Sequence, residues 1–161
     1  MIATTAAVTP GTTAEPRETL RLWLRLFTCT TLVEREVDAA LKREFGSSLA
    51  RFDVLAQLDR SPDGLRMGEL SARTLTTNGN ITWLVAALER DGLVRRRTAP
   101  EDRRAAVVRL TSAGRRHFAA MAAAHERLIA RLLGGLSAEE QRALHALLGT
   151  ALHHLHSERT V

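Results

Sequence analysis

The sequence holds one cysteine, Cys29, one lysine, Lys42, and no tyrosine at all. A single thiol excludes an intrachain disulfide. No uninterrupted apolar run approaches the roughly 20 residues that a membrane-spanning helix needs. The first fifteen residues, MIATTAAVTPGTTAE, lack the basic start and long apolar core of a secretory signal and read as a flexible tail. These absences make a reducing cytoplasm the expected location, without a membrane. A glycine-rich phosphate loop, a nucleophile elbow and an HExxH helix are missing too, and the carboxylates are scattered on helices opposite arginines. The expectation is a protein that is not an enzyme, with no cofactor and no metal site.

What is present is ordinary in bulk and unusual in one place. The 161 residues suffice for one domain with a real core plus helices for assembly. Hydrophobic residues make up 45% and charged residues 25%, a globular balance. The formal charge is +5 and the sequence pI about 11.0, which favours a polyanionic partner. With one lysine among so many arginines, the skew toward arginine fits a GC-rich genome and says little by itself. The unusual place is residues 95–109, RRRTAPEDRRAAVVR, with Arg95, Arg96, Arg97, Arg103, Arg104 and Arg109. A charge run usually means a solvated face. Six arginines with only Glu101 and Asp102 among them repel one another, and call for something negative to meet them.

Along the chain, residues 16–45 read as a long helix with Pro16 in its first turn. Its apolar rows (Leu20, Leu24, Phe27 and Thr31; Leu22, Leu26, Cys29, Val33, Val37 and Leu41) cover so much of the circumference that it needs neighbours on several sides. Residues 112–133 form another helix. Ser137 and Glu140 make a capping-box start for the last one, which carries an i, i+3, i+4 stripe of Leu144, Leu147, Leu148, Ala151, Leu152 and Leu155. Between them lie a helix at 47–58 with Leu49, Phe52, Leu55 and Leu58 inward, an SPDG turn, a short helix at 66–74 and a third from about 77 to 90 ended by Asp91-Gly92. Two short strands, 93–98 and 105–110, flank APEDRR, and Thr111 caps the next helix. Three helices and a hairpin give a mainly α fold with a small β-hairpin wing: a winged helix-turn-helix over 46–111. The tail is 1–15, and 16–45 with 112–156 make a helical dimerisation region.

The third helix, TNGNITWLVAALER, places Ile81, Leu84, Val85 and Leu88 on one face. The other holds Gly79, Trp83, Ala86 and Arg90, flanked by Asn80 and Thr82. Short side chains permit close approach to a major groove, Asn and Thr reach base edges, and Trp83 suits a thymine methyl. The plain alternative is a solvated helix with Thr77 and Asn78 as caps, or a Trp83 that packs against the long helices. The arginine hairpin beside it would reach phosphates and the neighbouring minor groove, with Asp102 holding one of Arg103 and Arg104 while the other points outward. The expected DNA contacts are Arg73, Thr77, Asn78, Asn80, Thr82, Trp83, Arg96, Arg97, Asp102, Arg103 and Arg104.

LSART, TNGNIT…LVAALERDGLV and EDRRAAVVRLTSAG resemble the MarR (multiple antibiotic resistance regulator) transcription factors, as does nearly all of the chain after the first fifteen residues. The wing motif of that family is matched by Asp102, Arg104, Leu110, Thr111 and Gly114. The resemblance implies a homodimer on double-stranded, pseudo-palindromic operator DNA, usually a repressor released by a small molecule, with recognition helices about 34 Å apart. Ala86-Ala87 and Trp83 depart from the commoner pattern at base-contacting positions. The family's effector pocket lies between the dimer helices and the winged domain, and Trp23, Phe27, Arg51, Phe52 and His125 are its expected lining. Residues 51–82 are similar to members controlling aromatic-acid catabolism, including those answering hydroxycinnamoyl-CoA thioesters, which points to an aromatic acid or aryl-CoA effector.

Other switches fit less well. Peroxide-sensing relatives use a cysteine on the first helix, but tyrosines activate it, and here there are none; a buried, inert Cys29 is the expectation. His117, His125, His145, His153, His154 and His156 make no ligand set with Cys or Glu. A non-specific architectural DNA binder is the rival class, although the wing shows no apolar wedge.

Overall fold

The computed structural model describes residues 15–74, 78–99 and 102–158. The expected tail, apart from Glu15, lies outside them. Among the described residues, six helices and three strands run in the order α1 (Pro16–Phe45), α2 (Leu49–Asp59), β1 (Leu65–Arg66), α3 (Met67–Arg73), α4 (Asn78–Arg90), β2 (Val94–Ala99), β3 (Asp102–Leu110), α5 (Ser112–Leu132) and α6 (Ala138–Glu158).

The boundaries follow local chemistry. Pro16 opens α1, and Gly46, at φ 59°, ends it with its amide on the Lys42 carbonyl. The Ser48 hydroxyl accepts from the Arg51 amide at the start of α2, and Asp38 of α1 accepts from the Leu49 amide at 2.9 Å. At α6 both halves of the capping box are made: the Ser137 amide donates to Glu140 (2.8 Å) and the Glu140 amide to the Ser137 hydroxyl (3.2 Å).

The strand β1 was not expected from its composition. Leu65 pairs with Val108 and Arg66 with Val107, so the wing is a three-stranded antiparallel sheet of order β1-β3-β2. Two residues are too few for a period-two signal to stand out; β3 supplies the partner that makes them a strand. Gly64, just before, has φ 82°, and a Cβ there would strike Arg109, Val107 and the Val108 carbonyl.

Leu55, Leu58, Leu70, Val85, Leu88, Val108 and Met121 form the centre of the core, where α2, α3, α4, the sheet and α5 meet. Leu110, Thr111 and Gly114 close it beneath the wing. Leu110 is buried, the Thr111 hydroxyl donates to the Gly92 carbonyl (2.7 Å) and accepts from the Gly114 amide (2.9 Å), and a Cβ at Gly114 would collide with the Leu93 carbonyl. The start of α5 is thereby locked to the end of α4.

The chain's ends contrast with this core. No residue of α6 is buried, and Leu147, Leu148, Leu152 and Leu155 face outward. The front of α1 likewise exposes Leu20, Leu22, Trp23, Leu24 and Phe27; its buried residues are Val37 and Leu41, near its other end. Cys29 is exposed on this front half, where a buried position was expected. The apolar row that carries it meets the chain's own core only farther along, at Val37 and Leu41.

Candidate nucleic-acid interface

Helix α4 buries Ile81, Leu84, Val85, Ala87 and Leu88 against the core. That fixes which face points out: Thr82 and Arg90 are exposed, and Trp83 is 62% exposed. Most of the Trp83 ring is thus left uncovered within this chain. Ala86 is half-buried. Arg73, at the end of α3, is exposed and donates to the Ser61 hydroxyl at 3.2 Å. Thr77 and the side chains of Asn78, Asn80, Asp102, Arg103 and Arg104 lie outside the described residues; along the backbone, Asn78 and Asn80 belong to α4 and the other three to β3.

In the wing, alternation along β2 sorts the arginines. Val94 is buried, Arg95 and Arg97 are exposed, and Arg96 is half-buried. The Arg96 guanidinium turns back onto α4. Its Nε lies 3.3 Å from Glu89 Oε2, and an Nη donates to the Thr82 carbonyl at 3.5 Å. The Arg96 amide donates to Glu89 Oε1 at 3.0 Å. Arg96 therefore ties the wing to the recognition helix. Asp91, just after α4, is paired by Arg51 of α2. Both carboxylates at this end of α4 are thus engaged by arginines.

Arg95 sits opposite Arg109 across β2 and β3, an arrangement of like charges that is unfavourable without a counter-ion. Neither they nor Arg97 make an ion pair among the described residues. Arg95 and Arg109 were not among the expected contacts. The signal was available, because period two separates Arg95 and Arg97 from Arg96.

A second site lies behind the winged domain. Between α1, α2 and α5 is a cavity of about 500 Å³, bordered by Phe52 and His125. Their ring centroids are 4.9 Å apart, and Phe118 backs Phe52 at 5.5 Å. Burial pushes the His125 pKa below its ordinary value and keeps the ring neutral. Of the expected effector residues, only Phe52 and His125 reach this cavity. Trp23 and Phe27 stack on each other, 5.7 Å apart, on the exposed front of α1, and Arg51 is directed to Asp91. Three acids that the sequence reading passed over, Glu34, Asp38 and Asp53, line the cavity instead. Asp38 is held below the ordinary carboxylate range by Lys42, 2.6 Å away, and by the Leu49 amide. Among the described residues no group of His, Cys, Asp and Glu could hold a metal ion, and no helix is long and apolar enough to cross a membrane.

A helix-turn-helix whose third helix projects an uncovered face, beside an arginine-bearing three-stranded wing, defines a winged-helix DNA-binding protein. Comparison with known proteins gives the family. The MarR family model matches residues 45–105. The Bacillus subtilis transcriptional repressor YetL is 30% identical over 81% of this chain and 78% of its own length. The crystal structure of a MarR family transcriptional regulator from Silicibacter pomeroyi is 36% identical, covers 88% of this chain and 99% of that one, and superposes with a TM-score of 0.76. Sco3205, a MarR family regulator from Streptomyces coelicolor solved in complex with DNA, is 26% identical over 91% of this chain and 93% of its own, with a TM-score of 0.77. The chain belongs to the MarR family of transcriptional regulators.

Proposed function

We propose that this protein is a homodimeric, sequence-specific repressor in the cytoplasm that reads a pseudo-palindromic operator and leaves it when a small molecule binds. The observation that carries the reading is the uncovered face of α4, with Thr82 and Trp83 outward beside Arg95 and Arg97 that have no ion pair of their own among the described residues. Thr82 and Trp83, with Asn78 and Asn80, are assigned to base edges. Arg73, Thr77, Arg95, Arg97, Arg103, Arg104 and Arg109 are assigned to phosphates and the minor groove, with Asp102 orienting the wing tip. Arg96 moves from contact to support. Sco3205, similar over nearly its full length, is a DNA-bound member, and YetL is a repressor.

Dimerisation is supported by the apolar surfaces of α6 and the front of α1, which a second copy would cover. On this reading 16–45 and 112–156 are the assembly region and 46–111 the DNA-binding domain. The effector is a small molecule with a flat apolar part, because Phe52 and His125 offer it a wall. An aromatic acid or aryl-CoA thioester meets that requirement in its ring; its negative charges have Arg35 as the one cation lining the cavity among the described residues.

The test is fluorescence anisotropy of the purified protein on the DNA upstream of its own gene against a scrambled duplex. Selective binding at physiological salt supports the regulator. Equal affinity for both duplexes, and for other fragments of the same genome, would make it a general DNA binder.

A further inference from the structure

We propose that the outer face of the wing sheet binds the phosphate backbone of duplex DNA beyond the half-site that α4 meets. This rests on the reading of the protein as a DNA-binding regulator and deepens it: it adds Arg66, and it says which phosphates the sheet arginines take.

Register and burial define the face. Val94, Val108 and Leu110 turn into the core, and Leu65, the partner of Val108, is buried with them. The alternate residues therefore share the other side of the sheet. There Arg66 and Arg97 flank Val107 from the two neighbouring strands, and Arg95 stands opposite Arg109 one step along. With strands about 4.8 Å apart and a rise of about 3.3 Å per residue, the four stems rise from a patch on the order of 10 Å by 7 Å. Arg66, Arg95 and Arg97 are exposed and Arg109 is half-buried.

The charge on this face is left open. Gly64 precedes Arg66 by two residues, and a Cβ there would strike the side chains of Arg109 and Val107, so the glycine makes room for the Arg109 stem. The acids nearest Arg66 in sequence are Asp63, in the preceding turn, and Glu69, whose carboxylate accepts from the Arg66 amide at 2.8 Å. Among the described residues none of the four arginines makes an ion pair, whereas Arg96, on the opposite face of β2, is paired with Glu89. Like charges on paired strands are unfavourable by themselves, so the folded sheet gains from an anion laid across it.

The occupant follows from charge and direction. Four stems in two rows suit a line of charges better than one small anion, and duplex DNA carries one negative charge per roughly 1.7 Å of its axis. Arg96 reaches Glu89 and the Thr82 carbonyl from the inner face of β2, so the four arginines point away from α4. A duplex seated on α4 meets them only where it has run past the wing and closes against its far side. That stretch is flank, not half-site.

The experiment is anisotropy of the full-length protein, over a series of salt concentrations, on two duplexes of its upstream DNA. One is the shortest fragment that footprinting shows protected; the other extends it by about 20 base pairs, two helical turns, at each end. Arg66→Ala and Arg95→Ala, checked for folding by thermal melting, are each expected to lower the salt slope by about 1 on the long duplex and to leave it unchanged on the short one. Arg66→Lys should keep the parent's slope, because a phosphate contact needs only the charge. An unchanged slope on the long duplex in either alanine variant overturns the proposal. So does an equal loss on both duplexes, which would place these arginines on the half-site. Two duplexes held by one dimer in sedimentation, and lost in the variants, would assign the face to a second DNA segment and overturn the flank. A scrambled duplex separates this surface from the regulator reading. Selective binding with unchanged slopes keeps the regulator and removes the surface; equal affinity for scrambled DNA, with the slope still lowered by both variants, keeps the phosphate surface and removes the sequence-specific reading.

Discussion

The winged domain and the chain's two ends treat apolar surface in opposite ways. From α2 to the start of α5, nearly every large aliphatic side chain finds its cover inside the same chain: Leu55, Leu70, Val85, Leu88, Val108 and Met121 are all fully buried. In α6 and the front of α1 the same residue types are left in the open, with Leu147 68% and Phe27 59% exposed. Hydrophobic burial contributes on the order of 1.5–3 kcal/mol for each large side chain, so one region is complete alone and the other is not. The winged region covers its core within one chain; on the reading proposed above, the helices that would set the spacing of two such regions need a second copy.

The sharpest way to break that contrast is to charge the open face. The double substitution Leu147→Glu, Leu152→Glu should leave the winged domain's melting transition in place, since neither residue is buried. It should yield monomers in sedimentation and weaken operator binding by about 100-fold or more through the lost linkage of two half-sites. An unchanged mass would remove α6 from the interface. Next in size are the wing arginines. Arg104→Ala or Arg103→Ala should lower DNA affinity by about ten- to a hundredfold and reduce the salt slope by about 1 while the dimer persists. Affinity equal to the parent's would sink the wing assignment.

On α4 the effect should be smaller and of another kind. Trp83→Ala should change preference at one operator position by about 1–3 kcal/mol without touching stability; a uniform loss across sequences would mean that it meets only the backbone. Arg96→Ala divides support from contact. It breaks a half-exposed tie to Glu89 worth under about 1 kcal/mol and should leave the salt slope unchanged, whereas Arg97→Ala should lower it. Equal slope changes for the pair would return Arg96 to the DNA surface. The smallest effect is on pH. His125 has its pKa below 6.5 in the fold because burial disfavours the charged ring, so the unfolded chain takes the proton first as pH falls. Stability should be full above that value and decline below it, and His125→Phe should flatten this limb in denaturant titrations.

Much of this was legible in the residues. Pro16, Ser137 with Glu140, and Thr111 with Gly114 marked helix ends that the structure keeps, since caps are local chemistry within a few residues. The inward face of α4 followed from its 3.6-residue period. The strand β1 did not show, because two residues have no period of their own, and Arg96 was grouped with its neighbours although a strand's period of two sets it apart from Arg95 and Arg97. The lining of the cavity between α1, α2 and α5 did not show for a related reason. Trp23 and Phe27 share α1 with Glu34 and Asp38 but point elsewhere, and only the docking of α2 and α5 says which stretch of α1 faces the gap.

The sequence by itself determined where each helix starts and stops, which face of each is apolar, and that an arginine-bearing hairpin stands beside an exposed reading helix. Those are properties of residues within a turn or two of one another. Tertiary structure alone decided that Arg51 and Arg96 are turned inward to Asp91 and Glu89, that β1 joins the wing, and that three carboxylates meet two aromatic rings in one cavity. Each depends on residues from separate elements converging, and no local spacing encodes the distance between them.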